Sequence, residues 1–487
     1  MLSPAFRVEG ATHCVITAVA CLCVACGDDA LPVAPLAGDD LRLRFDLQSL
    51  GPIPYPADNG HNPERIALGR LLFFDPILSG EKDTACGTCH HPDFAFADGR
   101  QFSAGATGVG LGPARVMSFS RFSGDAIELG PRNSPTMFNT AYNADETGLP
   151  SSRGYQFFDG RVRGLEHQAW VPLSVRSEMR GDAYLGLNAA IAADASCSGS
   201  CHLREGYIIV DGDDPGELGE YVEEPTEYER QEQLGQSRQF LISHLRFGNY
   251  SNVSADSVLN RLRSIPEYVE LFQRAFAEEA NAGAAVIDSS TYVRAVAAYG
   301  RELVTANSPY DRYVRGEEGA LSASQKRGLE LFYTKAKYDN CHGGSMFSDF
   351  RFVVTGVPQA GLGKAVVDGD DTGREEHTRN HADRYAFRTL TLRNVELTSP
   401  YMHDGVFESL EEAVRFFNDG ARPRHPDVSD DMLDPALGSP LDLSDSEIDD
   451  LVDFLRALTD PGTALDPFLL TVPIRVPSGL TPVFGDS

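Results

Sequence analysis

Cys86-Gly87-Thr88-Cys89-His90 decides the reading of this chain. C-x-x-C-H is the pattern of c-type haem attachment: two thiols bond covalently to the porphyrin edge, and the adjacent imidazole binds iron. The plainer alternative is a disulfide beside an incidental His. A second stretch, Tyr338-Asp339-Asn340-Cys341-His342, keeps the His and the second Cys but has Tyr where the first Cys belongs. One thioether from Cys341 plus ligation by His342 would still hold a haem; a degenerate domain with a free Cys is the other reading. A third stretch, Cys197-Ser198-Gly199-Ser200-Cys201-His202, has one residue too many between the thiols. It reads as a disulfide loop ahead of an extra haem site, and zinc would need further ligands such as His244.

The compartment follows from the first thirty residues. Residues 14–25, CVITAVACLCVA, are too short to span a bilayer but suit the core of a signal peptide. They run into Val24-Ala25-Cys26-Gly27, which resembles a bacterial lipoprotein cleavage site with Cys26 as the lipid anchor; simple cleavage is the alternative. Both predict export to the periplasm or the outer cell envelope. Of nine Cys, five remain beyond this segment, an odd number that argues against a plain disulfide framework in an oxidising compartment. Haem attachment supplies the other use.

At 487 residues the chain is long enough for two or three domains, at about 150 residues each. Hydrophobic residues at 42% and charged residues at 23% fit a core-building protein rather than a disordered polymer or a membrane bundle. A net charge of −29 would repel phosphate backbones, so nucleic acid is excluded as a partner.

Residues 1–26 read as the signal peptide and 27–46, rich in Asp, Pro and Ala, as a tether. Gly and Pro are frequent through residue 180, predicting short helices and long loops around a prosthetic group. A helix is predicted from Ser264 and Pro266 with Ile265, Val269, Phe272 and Phe276 on one face. Capping boxes are predicted at Ser409–Glu412 and Ser444–Glu447, the second leading Ile448, Leu451, Val452 and Leu455. Strand signals are weak, so the fold class is mainly α. The acidic stretch 212–232 reads as a solvated loop. Asp368 to Gly373 begins like an EF-hand loop, but Arg379 stands where a Glu is required. His377 and His381 have metal-ligand spacing only on a helix, and a loop is expected there.

The matching runs are LGRLLFFDPILSG (68–80), CGTCHHPDFAFADGR (86–100), PRNSPTMFNTAYN (131–143), FFDGRVRGLEHQAWVPL (157–173), ELVTANSPYDRYVRG (302–316) and FRTLTLRNVELTSPYMHDGVFESLEEAVRFFNDG (387–420). In these the chain resembles the bacterial dihaem cytochrome c peroxidase family, including its MauG-like branch, over most of residues 50–180 and 254–460. The resemblance implies two cytochrome c-like haem domains with long loops and little β. These are 47–315, the peroxidatic domain with an insertion at 181–253, and 316–465, the electron-handling domain; 466–487 is a tail. It makes His90 the proximal ligand of the peroxidatic haem. Gln168, Pro172 and Glu178 fall at the family's distal spacing, where a carboxylate moves a proton of bound peroxide, an amide orients the oxygens, and Pro limits ligation. Residues 103–108, SAGATG, carry no His where the peroxidase branch often supplies one. That implies an open, five-coordinate haem. Asn133 and the Thr398-Ser399-Pro400 segment match the family's interdomain calcium site.

The departures gather on the second haem. Phe158 occupies the position of the family's inter-haem Trp, and Phe417 the position of a Met or Tyr iron ligand, with Met402 and His403 as nearby alternatives. The expected function is reduction of hydrogen peroxide with electrons from a small donor such as cytochrome c. The alternatives are a MauG-like oxidase that modifies a partner protein and a non-catalytic haem-binding protein.

Overall fold

The computed structural model describes residues 40–121, 124, 126–182, 201–204, 207–210, 253–359, 370–460, 462 and 464–482. The four attachment-motif residues from Cys86 form a short helix whose position is fixed by longer ones. Helix α1 (Pro63–Phe74) is opened by Asn62, whose side chain accepts from the Glu64 and Arg65 N–H groups. It crosses helix α2 (Ser289–Arg301), capped by an Asp288–Thr291 box. At the crossing a Cβ on Gly69 would lie 1.9 Å from the Ala295 carbonyl oxygen, so only glycine lets the backbones approach so closely. The same device recurs in the second half. Helix α3 (Ala323–Tyr333) crosses helix α4 (Asp445–Arg456), and a Cβ on Gly328 would lie 1.9 Å from the Asp450 carbonyl oxygen.

Each crossing organises its own core. Leu68, Leu72, Phe272, Phe276, Tyr292 and Val296 pack in the first half; Leu329, Phe332, Phe347, Ile448, Leu451 and Phe454 pack in the second. The helix expected around residue 266 spans Pro266–Ala275 and buries Tyr268, Phe272 and Ala275, with Ile265 at its N-cap and Phe276 at its C-cap. Both capping boxes expected at Ser409 and Ser444 are formed. The fold is mainly α. Among the described residues the strands form three two-stranded antiparallel pairs: Tyr155–Gln156 with Val162–Arg163, Cys201–Arg204 with Tyr207–Val210, and Phe352–Val354 with Ala386–Arg388. None of the described helices is long and apolar enough to cross a membrane.

Two boundaries differ from those expected. The helix Pro309–Val314 buries Tyr310 and Tyr313 in the second core, and Asp311 receives two 3.0 Å bonds from Arg393, so the second half begins before Ser308 rather than at 316. The connecting loop carries few breakers, which hid the boundary. The tether is shorter than its composition suggested: Leu41–Arg44 is a helix capped by Asp40, and Phe45 stacks on Tyr333 at 4.9 Å. The tail, conversely, packs on the first half. Arg70 donates to the Thr471 carbonyl at 2.6 Å, Tyr299 to that of Leu469 at 2.7 Å, and Ser478 to Asp75 at 2.7 Å. Most of the insertion at 181–253, with Cys197, His244 and the acidic stretch 212–232, lies outside the described residues, as do the signal segment and Cys26.

Thermal unfolding should show the two glycine crossings directly. Gly69→Ala and Gly328→Ala are each expected to lose about 1–3 kcal/mol through forced separation of the helices. Asp311→Ala, which strands a buried guanidinium, is expected to lose about 3–5 kcal/mol.

Candidate active site

Cys86 and Cys89 stand as thiols at the two ends of their helical turn, and Cys341 stands as a thiol as well. Gly87 is required between the first pair because a Cβ there would meet the Phe74 ring at 2.6 Å. Burial pushes both thiols up to about 12, with the charge of Glu178 among the smaller causes at each. Cys341 is pushed up to about 11, again by burial first.

The two histidines share one geometry. His90 Nδ1 lies 2.9 Å from the Phe96 carbonyl oxygen, and His342 Nδ1 lies 3.0 Å from that of Phe347. A carbonyl only accepts, so Nδ1 carries the proton in each ring and Nε2 keeps its lone pair, the state a metal requires. Burial lowers the pKa of both imidazoles, which favours the neutral ligand form, although the neighbouring carbonyls act in the opposite sense. Both rings line one cavity of about 330 Å³ between the halves. Its walls include Gln168, Phe158, Tyr338, Cys341, Met402, His403 and Phe417, with Asn133, Thr398 and Pro400 at the same junction. Free thiols, oriented neutral imidazoles and an apolar chamber fit haem c; His90 and His342 would bind iron, and Cys86, Cys89 and Cys341 would form the thioethers.

Pro172 and Glu178 lie outside that lining. Gln168 sits on the helix Gly164–Trp170, Pro172 on the turn Val171–Leu173, and Glu178 on a single π-turn, Arg176–Arg180. Glu178 is half-buried, and burial raises its pKa while Arg161 opposes the rise. Gly105 lies against its backbone, since a Cβ there would stand 2.2 Å from the Ser177 carbonyl and 2.4 Å from that of Glu178. The SAGATG segment is thus packed on the carboxylate-bearing turn. Arg161 was not singled out from the sequence; its only signal was the run FFDGRVRG. Its guanidinium pairs with Asp159 at 2.9 Å and stacks on Phe157 at 3.8 Å, while its Nε is buried without a partner.

A model of the family described as "Di-haem cytochrome c peroxidase" matches residues 63–198 and 221–319. The chain belongs to the dihaem cytochrome c peroxidase family. The methylamine utilization protein MauG of Methylorubrum extorquens is 28% identical over 451 residues, covering 92% of each chain. The cytochrome c551 peroxidase of Pseudomonas aeruginosa is 29% identical over 350 residues, covering 71% of this chain and 69% of its own. The fold is also that of a MauG-like protein associated with microbial copper homeostasis (TM-score 0.59, 23% identity, covering 88% of this chain and 98% of the other). The diheme peroxidase BthA of Burkholderia thailandensis has a TM-score of 0.53 at 21% identity, covering 85% of this chain and 93% of the other. Members of this family are oxidoreductases.

Tyr338, Phe417 and Phe158, where the resemblance implied departures, line one chamber. Tyr338 Oη is buried without a partner, Phe417 faces Tyr338 at a centroid distance of 6.3 Å, and Phe158 is 7% exposed. Met402 packs with Phe417, while His403 stacks on Phe387 at 3.8 Å and is pushed down to about 4, chiefly by burial. Asn133 donates through its amide to the carbonyls of Arg100 (2.8 Å) and Pro400 (3.1 Å). A cation there would need the amide turned over to present its oxygen. In the acidic run near 370, Asp371 takes two bonds from Arg132, at 2.6 and 2.7 Å. His377 and His381 do not share a helix, because the chain turns left-handed at Arg379 (φ 57°).

Peptide mass spectrometry of protein matured in a haem-attaching periplasm should find haem on the Cys86–Cys89 peptide and on the Cys341 peptide. Cys341→Ser is expected to remove only the second covalent adduct.

Proposed function

We propose that this chain is an exported c-type haem peroxidase that reduces hydrogen peroxide to two waters, taking two electrons from a small donor such as cytochrome c. The observation that carries the reading is Glu178: a carboxyl group with a pKa raised by burial, within electrostatic reach of Cys86 and Cys89 and opposed by Arg161. Haem bound through His90 supplies the iron that accepts peroxide and the redox capacity to split its O–O bond. Glu178 would take a proton from peroxide and return it to the oxygen that departs as water. Gln168 orients the oxygens, and Pro172 restricts the distal side. The absence of His from residues 103–108 leaves that side without the ligand that a resting peroxidase of the other branch carries.

Electrons would enter through the second half, where Cys341 and His342 would hold haem by one thioether and Met402 is a candidate for a further ligand. Asn133, with its amide turned over, Thr398 and Pro400 would form part of an interdomain calcium site completed by water. The apolar run 14–25 supports export, and Cys26 the lipid anchor. A second reading, oxidation of residues in a partner protein, is supported by the His-free 103–108 segment and by the match to MauG along 92% of both chains.

Two measurements test the site. Glu178→Gln should lower peroxide turnover by roughly 10²–10⁴-fold and leave the resting haem spectrum unchanged; equal turnover in variant and wild type rejects the assignment. A base must be ionised to act, so a raised pKa places the acid limb of kcat/KM above the ordinary Glu range, activity falling as pH drops through it. Oxidised Tyr or Trp in a co-expressed partner, with slow turnover on cytochrome donors, selects the second reading.

A further inference from the structure

Among the described residues, one strong cation in the central cavity has no carboxylate of its own. Arg388 ends the strand Ala386–Arg388, is 6% exposed and lines the chamber shared by His90 and His342. Its Nε donates to the Phe157 carbonyl at 3.0 Å, its backbone N–H to that of Phe158 at 2.7 Å, and its guanidinium lies 6.0 Å from the Phe350 ring. Nη1 is buried with no hydrogen-bond partner. The acid acting on it is Asp159, whose carboxylate is already bonded by Arg132 at 2.6 Å and by Arg161 at 2.9 Å. Burial accordingly pushes the guanidinium down to about 10. Beside it, Thr389 is 7% exposed, lines the same chamber, and has a buried hydroxyl with no partner.

A buried guanidinium lacking a counter-ion is costly, and a planar fork of donors beside a free hydroxyl matches a carboxylate. We propose that Arg388 and Thr389 form a seat for a propionate carboxylate of the haem held by Cys341 and His342. The segment belongs to that haem rather than the one on His90. The Thr389 carbonyl accepts from Ser348 at 2.8 Å, and the Leu390 carbonyl acts on the His342 imidazole. The seat rests on the haem reading of the second half and deepens it. With Tyr338 in place of one thioether cysteine, an ion pair at the propionate edge takes over part of the anchoring that the second covalent bond gives the first haem.

The test is a potentiometric titration followed by EPR on holoprotein, comparing wild type, Arg388→Gln and Arg388→Lys, with the second haem identified as the signal lost in His342→Ala. A cation beside the propionate favours the reduced haem. Arg388→Gln should therefore shift the reduction equilibrium of the second haem about tenfold toward the oxidised form, about 59 mV for one electron. The first haem should move little, and Arg388→Lys should restore most of the shift. Loss of the second haem from the Gln variant but not the Lys variant also supports the seat. Two bound haems with unmoved potentials in Arg388→Gln overturn it, as do equal effects of Gln and Lys, which mark a merely structural role. A wild-type protein carrying only one haem overturns the haem reading of the second half and the seat together.

Discussion

Each half of the molecule depends on a place where two helix backbones meet with no side chain between them. At Gly69 and at Gly328 the neighbouring carbonyl stands where a Cβ would be, so the crossing exists only because the residue is glycine. The remainder is built outward from these contacts. The helix entering each crossing is followed by a short turn bearing Cys and His, and a carbonyl five or six residues further on fixes the imidazole. The crossing and the carbonyl clamp are therefore separate constraints, one steric and one a hydrogen bond, on neighbouring stretches of chain.

The halves are related in plan and unequal in chemistry. The first keeps both cysteines, a half-buried carboxylate and the cation that opposes it. The second carries aromatic bulk at Tyr338 and Phe417, with Phe158 at the junction. Tyr338 brings a hydroxyl that the chamber leaves unpaired, an arrangement that disfavours loss of its proton and suits a space-filling role better than a redox one. What remains to hold a cofactor there is one thiol, one imidazole and the charge of Arg388.

Much of this was legible in the sequence because it is local. Cys86, Cys89 and His90 fall within five residues, and the boxes at Ser409 and Ser444 within four, so spacing alone reveals them. Features made by distant segments were not legible. Nothing near Gly69 announces that Ala295 will lie against it, and Arg388 resembles any arginine at a strand end until its missing counter-ion is seen. Composition misled at the chain's start, where residues 41–45 look like spacer on paper yet place Phe45 on Tyr333. The reach of the second half back to Ser308 was hidden by distance along the chain, since its evidence is the pair of bonds that Asp311 accepts from Arg393, eighty-two positions on.

The two ends of the folded chain are crossed over. The segment beginning at Asp40 lies on the second half, through Phe45 on Tyr333 and the ion pair of Arg44 with Glu330, whereas the segment after Leu465 lies on the first, through Thr471, Leu469 and Ser478. Neither half owns its full covering, so neither can be excised intact at the connector near residue 305. A force applied at the N-terminal side would be felt first by the second half, and the first would be reached only through the junction. The arrangement ties the two cores into one mechanical unit, in which fraying at either end uncovers the opposite side of the molecule.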